Sequence, residues 1–214
     1  MAEEKRRGPR TVARSRSELI RWMGIQDANS AGFIHGGVVM RMCDEAAGIA
    51  AIRHCGNRVV TAGMDRMTFL NPVHVGELLR CVASVNAVWR TSMEVGVRVE
   101  AENAVTGEVR ATSTAYLTMV SVDEDGKPMP VPPIVVEGAI EERRQREAEN
   151  ARTGEVRHTS TAYLTMVAVD GDGDPTPVPP LAVDGDTESR RQREAELRRE
   201  NRLAERDQIV AERG

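Results

Sequence analysis

Between Gly37 and His54 the chain runs largely through Val, Met, Ala, Ile and Cys, with Gly48 as its one helix breaker. A helix this apolar on nearly every side has no face to give to water, so the rest of the chain must wrap around it. The wider stretch, Asp27 to Cys55 (DANSAGFIHGGVVMRMCDEAAGIAAIRHC), opens with a polar loop over Gln26–His35 and turns through Gly36-Gly37. Gly56-Asn57 then reads as a C-cap, and Arg53 and His54 suit the negative end of the helix dipole. Within the apolar run sits one acidic pair, Asp44-Glu45.

What could wrap the helix is legible on either side of it. Ser17–Met23 (SELIRWM) reads as a first strand. After the helix the period changes to two: Arg58–Leu70, Glu77–Arg90, Thr91–Glu102 and Glu108–Val122 are rich in Val, Thr, Met and Phe and alternate to varying degrees. Asn71-Pro72 and Thr106-Gly107 mark turns between them. The order is strand, helix, then four strands joined by short hairpins. That predicts an α+β domain, a long central helix wrapped by a curved antiparallel sheet.

Beyond Asp123 the chain leaves through a Pro-rich exit (EDGKPMPVPP) into a charged helical stretch, Glu141–Glu149. Asn103–Glu149 then recurs as Asn150–Glu196, an offset of 47 residues, with NAVTGEVRATSTAYLTMV repeated as NARTGEVRHTSTAYLTMV. The repeated unit is one strand, a Pro-rich linker and a charged helix. It has no counterpart of Asp27–Cys55, so it cannot be a second complete domain. The first copy follows directly on its hairpin partner and has the smaller loop-closure cost, so it is the copy expected inside the sheet. The chain accordingly divides into a basic flexible arm (1–14), the main domain (15–136), a charged helical linker (137–149), the duplicated strand and exit (150–183), and a charged C-terminal helix or disordered tail (184–214).

A net charge of -4 gives no reason to expect nucleic acid as a partner, and the basic N-terminus is read as a solubilising arm. The cysteines, Cys43, Cys55 and Cys81, are odd in number and show neither paired nor metal spacing. They read as reduced thiols of a cytoplasmic protein. The N-terminus has no apolar h-region and no apolar run approaches membrane-spanning length, so no membrane partner is expected. The four histidines show no ligand spacing, and DGDGDP (Asp170–Pro175) lacks the glycine and distant Glu of a calcium loop. No metal and no cofactor are predicted.

Four features could carry chemistry. Gly36-Gly37 opens the helix, where free N–H groups and the positive dipole end can hold an oxyanion; tight packing against the sheet explains two glycines equally well. Asp44 lies about two turns further along the same side, among Met40, Ala47, Gly48 and Ala51. Such a carboxylate has a raised pKa unless hydrogen-bonded, which suits a general base; a buried ion pair with an arginine is the alternative. Glu45 points elsewhere and reads as a solvated or salt-bridged acid. Asn29 is a loop asparagine, usually a turn former, and His35 can cap the helix, ligate or catalyse.

These residues form a pattern, N-x-x-G-x-x-H-G-G-x-x-M-x-x-x-D-E-A-A-G from Asn29 to Gly48, that resembles the hotdog-fold acyl-CoA thioesterases of the cytosolic acyl-CoA hydrolase group. The likeness continues through VVTAGMDRMTFLNPVHVGE, RTSMEVGVRVEAEN and STAYLTMVSVDEDGKPMPVPP, covering about Ser17 to Pro133. It implies hydrolysis of acyl-CoA to free fatty acid and coenzyme A. Asp44 would be general base or nucleophile, and Asn29 from a partner subunit would place the water or thioester. The N–H groups near Gly36, Gly37 and His35 would polarise the carbonyl, and Arg90, Thr91 and Ser92 would contact coenzyme A. It also implies a homodimer or higher homo-oligomer, a trimer of dimers included. The 47-residue duplication departs from the family pattern. Two rival readings are a hotdog hydratase using His35, and a non-catalytic CoA-binding protein.

Overall fold

The structure is a computed structural model that describes residues 8–151, 176–178, 186, 190, 192–197 and 200. Two compact units divide the chain, Met1–Ala162 and Tyr163–Gly214. The second contributes only scattered described positions, of which 192–197 are helical. The second copy of the strand, with His158 and the DGDGDP segment, lies outside the described residues, as do residues 1–7.

The first unit runs β1 (Arg10–Thr11), α1 (Val12–Ser15), β2 (Ser17–Trp22), a 3-10 turn (Ile25–Asp27), α2 (Gly36–Cys55), β3 (Arg58–Phe69), β4 (Leu78–Val88), β5 (Ser92–Glu102), β6 (Val109–Val122), β7 (Ile134–Val135) and α3 (Ala139–Ala151). The central helix is present one residue longer at each end than its apolar run predicts. Gly56 caps it in the left-handed conformation, φ 74°, as a C-cap glycine does.

Five strands form one antiparallel sheet in the order β2-β4-β5-β6-β3. Here the expected succession of hairpins needs correcting. Only β4, β5 and β6 form a meander; β3 pairs with β6, so the chain crosses from one side of the sheet to the other between β3 and β4. That crossing, residues 70–77, is bonded rather than free. Leu70 N–H donates to Thr112 O, and Val73 O accepts from Ile34. Glu77 accepts from both Arg110 guanidinium nitrogens at 2.6 Å and from His74 N–H at 2.8 Å. Pro72 has no N–H to leave unpaired there.

Alternation delivers the core. Leu79, Cys81, Ala83 and Val85 of β4, Met93, Val95, Val97 and Val99 of β5, and Ala115, Leu117 and Met119 of β6 all point inward. They meet Val39, Met42, Cys43, Ala46, Ala47, Ala50, Ala51 and Cys55 of α2. The four alanines are fully buried and let the sheet close tightly on the helix. The strand within the sheet is the first copy of the duplicated unit, as its short loop favours. The three cysteines are buried and free.

Residues 10–14, expected in a flexible arm, are structured. Arg10–Thr11 pairs in parallel with Ile134–Val135. Arg10 is buried and its guanidinium donates to His54 O at the C-terminus of α2. The cation that answers the helix dipole there is therefore Arg10 together with Arg53, not His54. His54 is buried against Pro132 O at 3.0 Å; burial and the Arg10 charge push its imidazole below the usual range, against the effect of that hydrogen bond.

The charged stretch after the exit is helical, and α3 is more than a linker: it packs on β4. Beneath that outer face Asn86 and Glu94 are buried, and Ala148 of α3 is 3% exposed.

Candidate active site

Asp44 sits midway along α2, half-buried, and its Oδ1 accepts the Thr61 hydroxyl at 2.6 Å. The alternative, an ion pair with an arginine, is absent among the described residues; a neutral hydroxyl holds the carboxylate instead. Thr61 belongs to β3 and sits beside a register shift between Thr61 and Gly63. A bulge re-aims side chains, and this one turns a hydroxyl on an edge strand toward the helix. The same hydroxyl lies 3.5 Å from Met119 Sδ on the neighbouring strand. Glu45 pairs with Arg41 at 2.9 Å, one turn away, the solvated pair expected of it.

At the helix start His35 is the N-cap, and its Nδ1 accepts from Gly37 N–H at 2.9 Å. This divides the expected pair of oxyanion donors: Gly37 N–H is spent on the cap, while Gly36 N–H makes no hydrogen bond among the described residues. Gly36 is packed as well, since a Cβ there would meet the Phe69 ring at 3.3 Å. His35 has no carboxylate partner among the described residues, so no His–acid pair of a hydratase is assembled among them.

Asn29 lies in the loop ahead of the helix. Its Oδ1 accepts from Ala31 N–H at 2.9 Å and Phe33 N–H at 3.2 Å, the asparagine turn expected of it. Its amide NH₂ donates to nothing among the described residues. The loop itself is pinned: His35 N–H bonds Asp27 O at 2.8 Å, and Asp27 is gripped by Arg21 at 2.6 Å.

Arg90, Thr91 and Ser92 form the β4–β5 turn. Trp89 N–H bonds Ser92 O, Ser121 N–H bonds Thr91 O, and Val131 N–H bonds Arg90 O. Arg90 is exposed and meets no carboxylate among the described residues. Ser92 pairs with Val120, which pairs with Val60 beside Thr61. The turn is therefore two strand spacings, about 10 Å, from the strand that holds Asp44.

The residue that sequence reasoning missed is Thr61. A threonine in a strand is an ordinary β-former. Nothing local marks it, because its importance comes from a pairing across 17 positions of chain.

One distance limits what a single chain can do. Gly36 and Asp44 are eight residues apart, about 12 Å along the helix axis. A thioester carbonyl needs about 3 Å to both an oxyanion donor and its attacking group. The lean of side chains toward the helix N-terminus shortens the gap without closing it. Asp44 and the helix start of one chain are therefore too far apart to meet one thioester carbonyl together.

A long helix gripped by a curled antiparallel sheet, with a hydroxyl-held aspartate at mid-helix, defines a hotdog-type domain. A profile of the thioesterase superfamily matches residues 31–108. The cytosolic acyl coenzyme A thioester hydrolase of Mus musculus is 38% identical over 138 residues, 64% of this chain and 36% of its own length. The chain thus spans about a third of that relative. Among solved structures, an apo-hexameric acyl-CoA thioesterase is 39% identical over 68% of this chain and 94% of its own, with a TM-score of 0.66. The acyl-CoA hydrolase of Staphylococcus aureus, solved with butyryl coenzyme A, coenzyme A and coenzyme A disulfide, is 32% identical over 67% of this chain and 92% of its own, with a TM-score of 0.61. The chain belongs to the thioesterase superfamily.

Proposed function

We propose that this chain hydrolyses acyl-CoA thioesters to a free acid and coenzyme A, at sites shared between two copies of it. The observation that carries the reading is the Asp44–Thr61 pair, a half-open carboxylate held by one hydroxyl above an apolar helix–sheet interface. Structures of the Staphylococcus aureus hydrolase have been solved with an asparagine, an aspartate and a threonine each changed to alanine, at chain positions one lower than Asn29, Asp44 and Thr61 here.

In the proposed reaction Asp44 takes a proton from water as the oxygen attacks the thioester carbonyl. Gly36 N–H of the other copy, with its Asn29 amide, stabilises the developing oxyanion. The C–S bond breaks, the thiolate of coenzyme A recovers the proton from Asp44, and the acid is released. Direct attack by Asp44 to give an anhydride, hydrolysed in a second step, uses the same residues. Arg90, Thr91 and Ser92 supply a cation and hydroxyls to phosphate oxygens of coenzyme A. The acyl chain runs along the helix–sheet interface.

Assembly follows from the same geometry. Strand β3 is an edge of the sheet, and Val60 and Thr61 on it are exposed. A second copy approaching there brings its own Asn29 and Gly36 toward Asp44; the hexameric relative supports a homo-oligomer. The mouse relative is named cytosolic, which supports a cytoplasmic setting. No described helix is long and apolar enough to cross a membrane.

The test is thiol release from acyl-CoAs by the wild-type chain and by Asp44→Asn and His35→Ala. Loss of turnover in Asp44→Asn with coenzyme A binding retained is the expected result. Near-normal hydrolysis by that variant would overturn the assignment of Asp44. Tight coenzyme A binding without any thiol release would leave the non-catalytic reading.

A further inference from the structure

Gly48 stands one helical turn beyond Asp44, on the same face of α2. A glycine inside a helix costs about 1 kcal/mol relative to alanine. That cost is usually explained by a neighbour that needs the room. Among the described residues none does: a Cβ on Gly48 would touch only Met119 Cε, at 3.9 Å, an ordinary contact with the far end of a flexible side chain. Around it Ala46, Ala47, Ala50 and Ala51 are all fully buried, while Gly48 itself is half-buried. The helix accepts methyl groups where the sheet closes on it and lacks one where its surface is open.

The opening is bounded by the proposed site. Met119, the atom group nearest to the missing Cβ, also lies 3.5 Å from the Thr61 hydroxyl that holds Asp44. Asp44, Thr61, Met119 and Gly48 thus border one patch of the helix–sheet surface, with the carboxylate and the missing side chain next to each other on the helix and Met119 across from them.

We infer that Gly48 is a specificity-determining residue: its missing side chain leaves the passage through which the acyl chain leads away from the thioester carbonyl at Asp44. The inference rests on the acyl-CoA hydrolase reading and adds to it the position that sets acyl length. Bulk at position 48 shortens the passage, and Met119 forms its opposite wall.

The experiment compares kcat/KM for a series from acetyl-CoA to palmitoyl-CoA in the wild-type chain, Gly48→Ala and Gly48→Leu, with thermal unfolding and sedimentation on each. Gly48→Ala should unfold at a higher temperature, as helix propensity dictates, and yet lose activity progressively with acyl length. In Gly48→Leu the palmitoyl-to-acetyl ratio should fall by about tenfold or more, the range that methylene-sized misfits produce. A purely structural glycine would change all substrates together and leave that ratio unmoved, which would overturn the inference while the hydrolase reading stands. Gly48→Leu chains that dissociate in sedimentation would also overturn it, by assigning the patch to a neighbouring subunit. A wild-type chain that releases no thiol from any member of the series would sink both readings at once.

Discussion

Thr61 Oγ1 lies 2.6 Å from Asp44 Oδ1, joining the sheet's exposed edge strand to the middle of its central helix. Asp44 is thereby oriented by a group that stays neutral. The hydroxyl holds the carboxylate without forming an ion pair. The pair is solvent-accessible at β3, so its worth lies in orientation more than in stability.

Removing that hydroxyl separates the two contributions. Thr61→Val should fold with an unfolding temperature close to wild type and lose about a hundredfold in kcat, the scale set by misplacing a reacting group by about 1 Å. Thr61→Ser, which keeps the donor, should recover most of the rate. A large loss in Thr61→Ser with Thr61→Val close to wild type would mean that the methyl, and not the hydrogen bond, is what matters.

At the β4–β5 turn the expectation concerns binding. Arg90→Ala should raise KM for acyl-CoA by about tenfold with kcat little changed, as loss of one charge-assisted hydrogen bond to phosphate does. The penalty should shrink as salt is added, because the Arg90 head is exposed and screened. A drop in kcat at constant KM would remove Arg90 from the coenzyme A contact.

The contrast between Asp44 and Thr61 explains how much of this protein is legible along the chain. The helix was readable because an all-round apolar segment admits one solution, and each strand because inward and outward positions alternate. The Asn29–Gly48 pattern compresses most of the candidate site into one local stretch. Partners across the fold are not compressed in that way. Thr61 meets Asp44 and Arg110 meets Glu77 only after β3 has been sent to the far side of β6, and Arg10 meets His54 O only once β1 has paired with β7, choices made by packing over long separations. For the same reason His54, which looks like a dipole cation in the sequence, is a buried neutral ring in the fold.

The Arg110–Glu77 clamp makes a prediction about acid. Burial works against the Glu77 charge, yet the two Arg110 hydrogen bonds, with His74 N–H, hold its carboxyl below the ordinary range. A depressed folded pKa contributes stability above the unfolded value and loses it as pH falls through the folded one. Arg110→Ala should therefore destabilise at neutral pH by about 2 kcal/mol, the cost of a partly buried charged hydrogen bond, and the deficit should narrow in acid. Denaturant unfolding at a series of pH values measures it; a deficit independent of pH would rule out the electrostatic account.

Glu94 should behave in the opposite sense. It is 5% exposed beneath α3, with Asn86 Nδ2 donating at 3.0 Å as its hydrogen-bond partner. Burial pushes its carboxyl above the usual range, Asn86 pulls against that, and the charges of Asp65 on β3 and Glu147 on α3 push further in the same direction as burial. A raised folded pKa means that the contribution is fully present below the unfolded value and is lost as pH rises through the folded one. The ionised carboxylate then faces Glu147 across the seat of α3 with no cation among the groups that shift it. Glu94→Gln keeps the shape and the Asn86 contact and cannot ionise. It should raise the unfolding midpoint by a few degrees at neutral pH, leave it unchanged well below the ordinary carboxylate range, and flatten the slope between. Ending the chain after Val136 removes α3 and returns Glu94 to water, so it should flatten the same slope while lowering the midpoint overall. If Glu94→Gln and wild type lose stability in parallel as pH rises, the slope belongs to some other group and the seat of α3 carries no pH dependence.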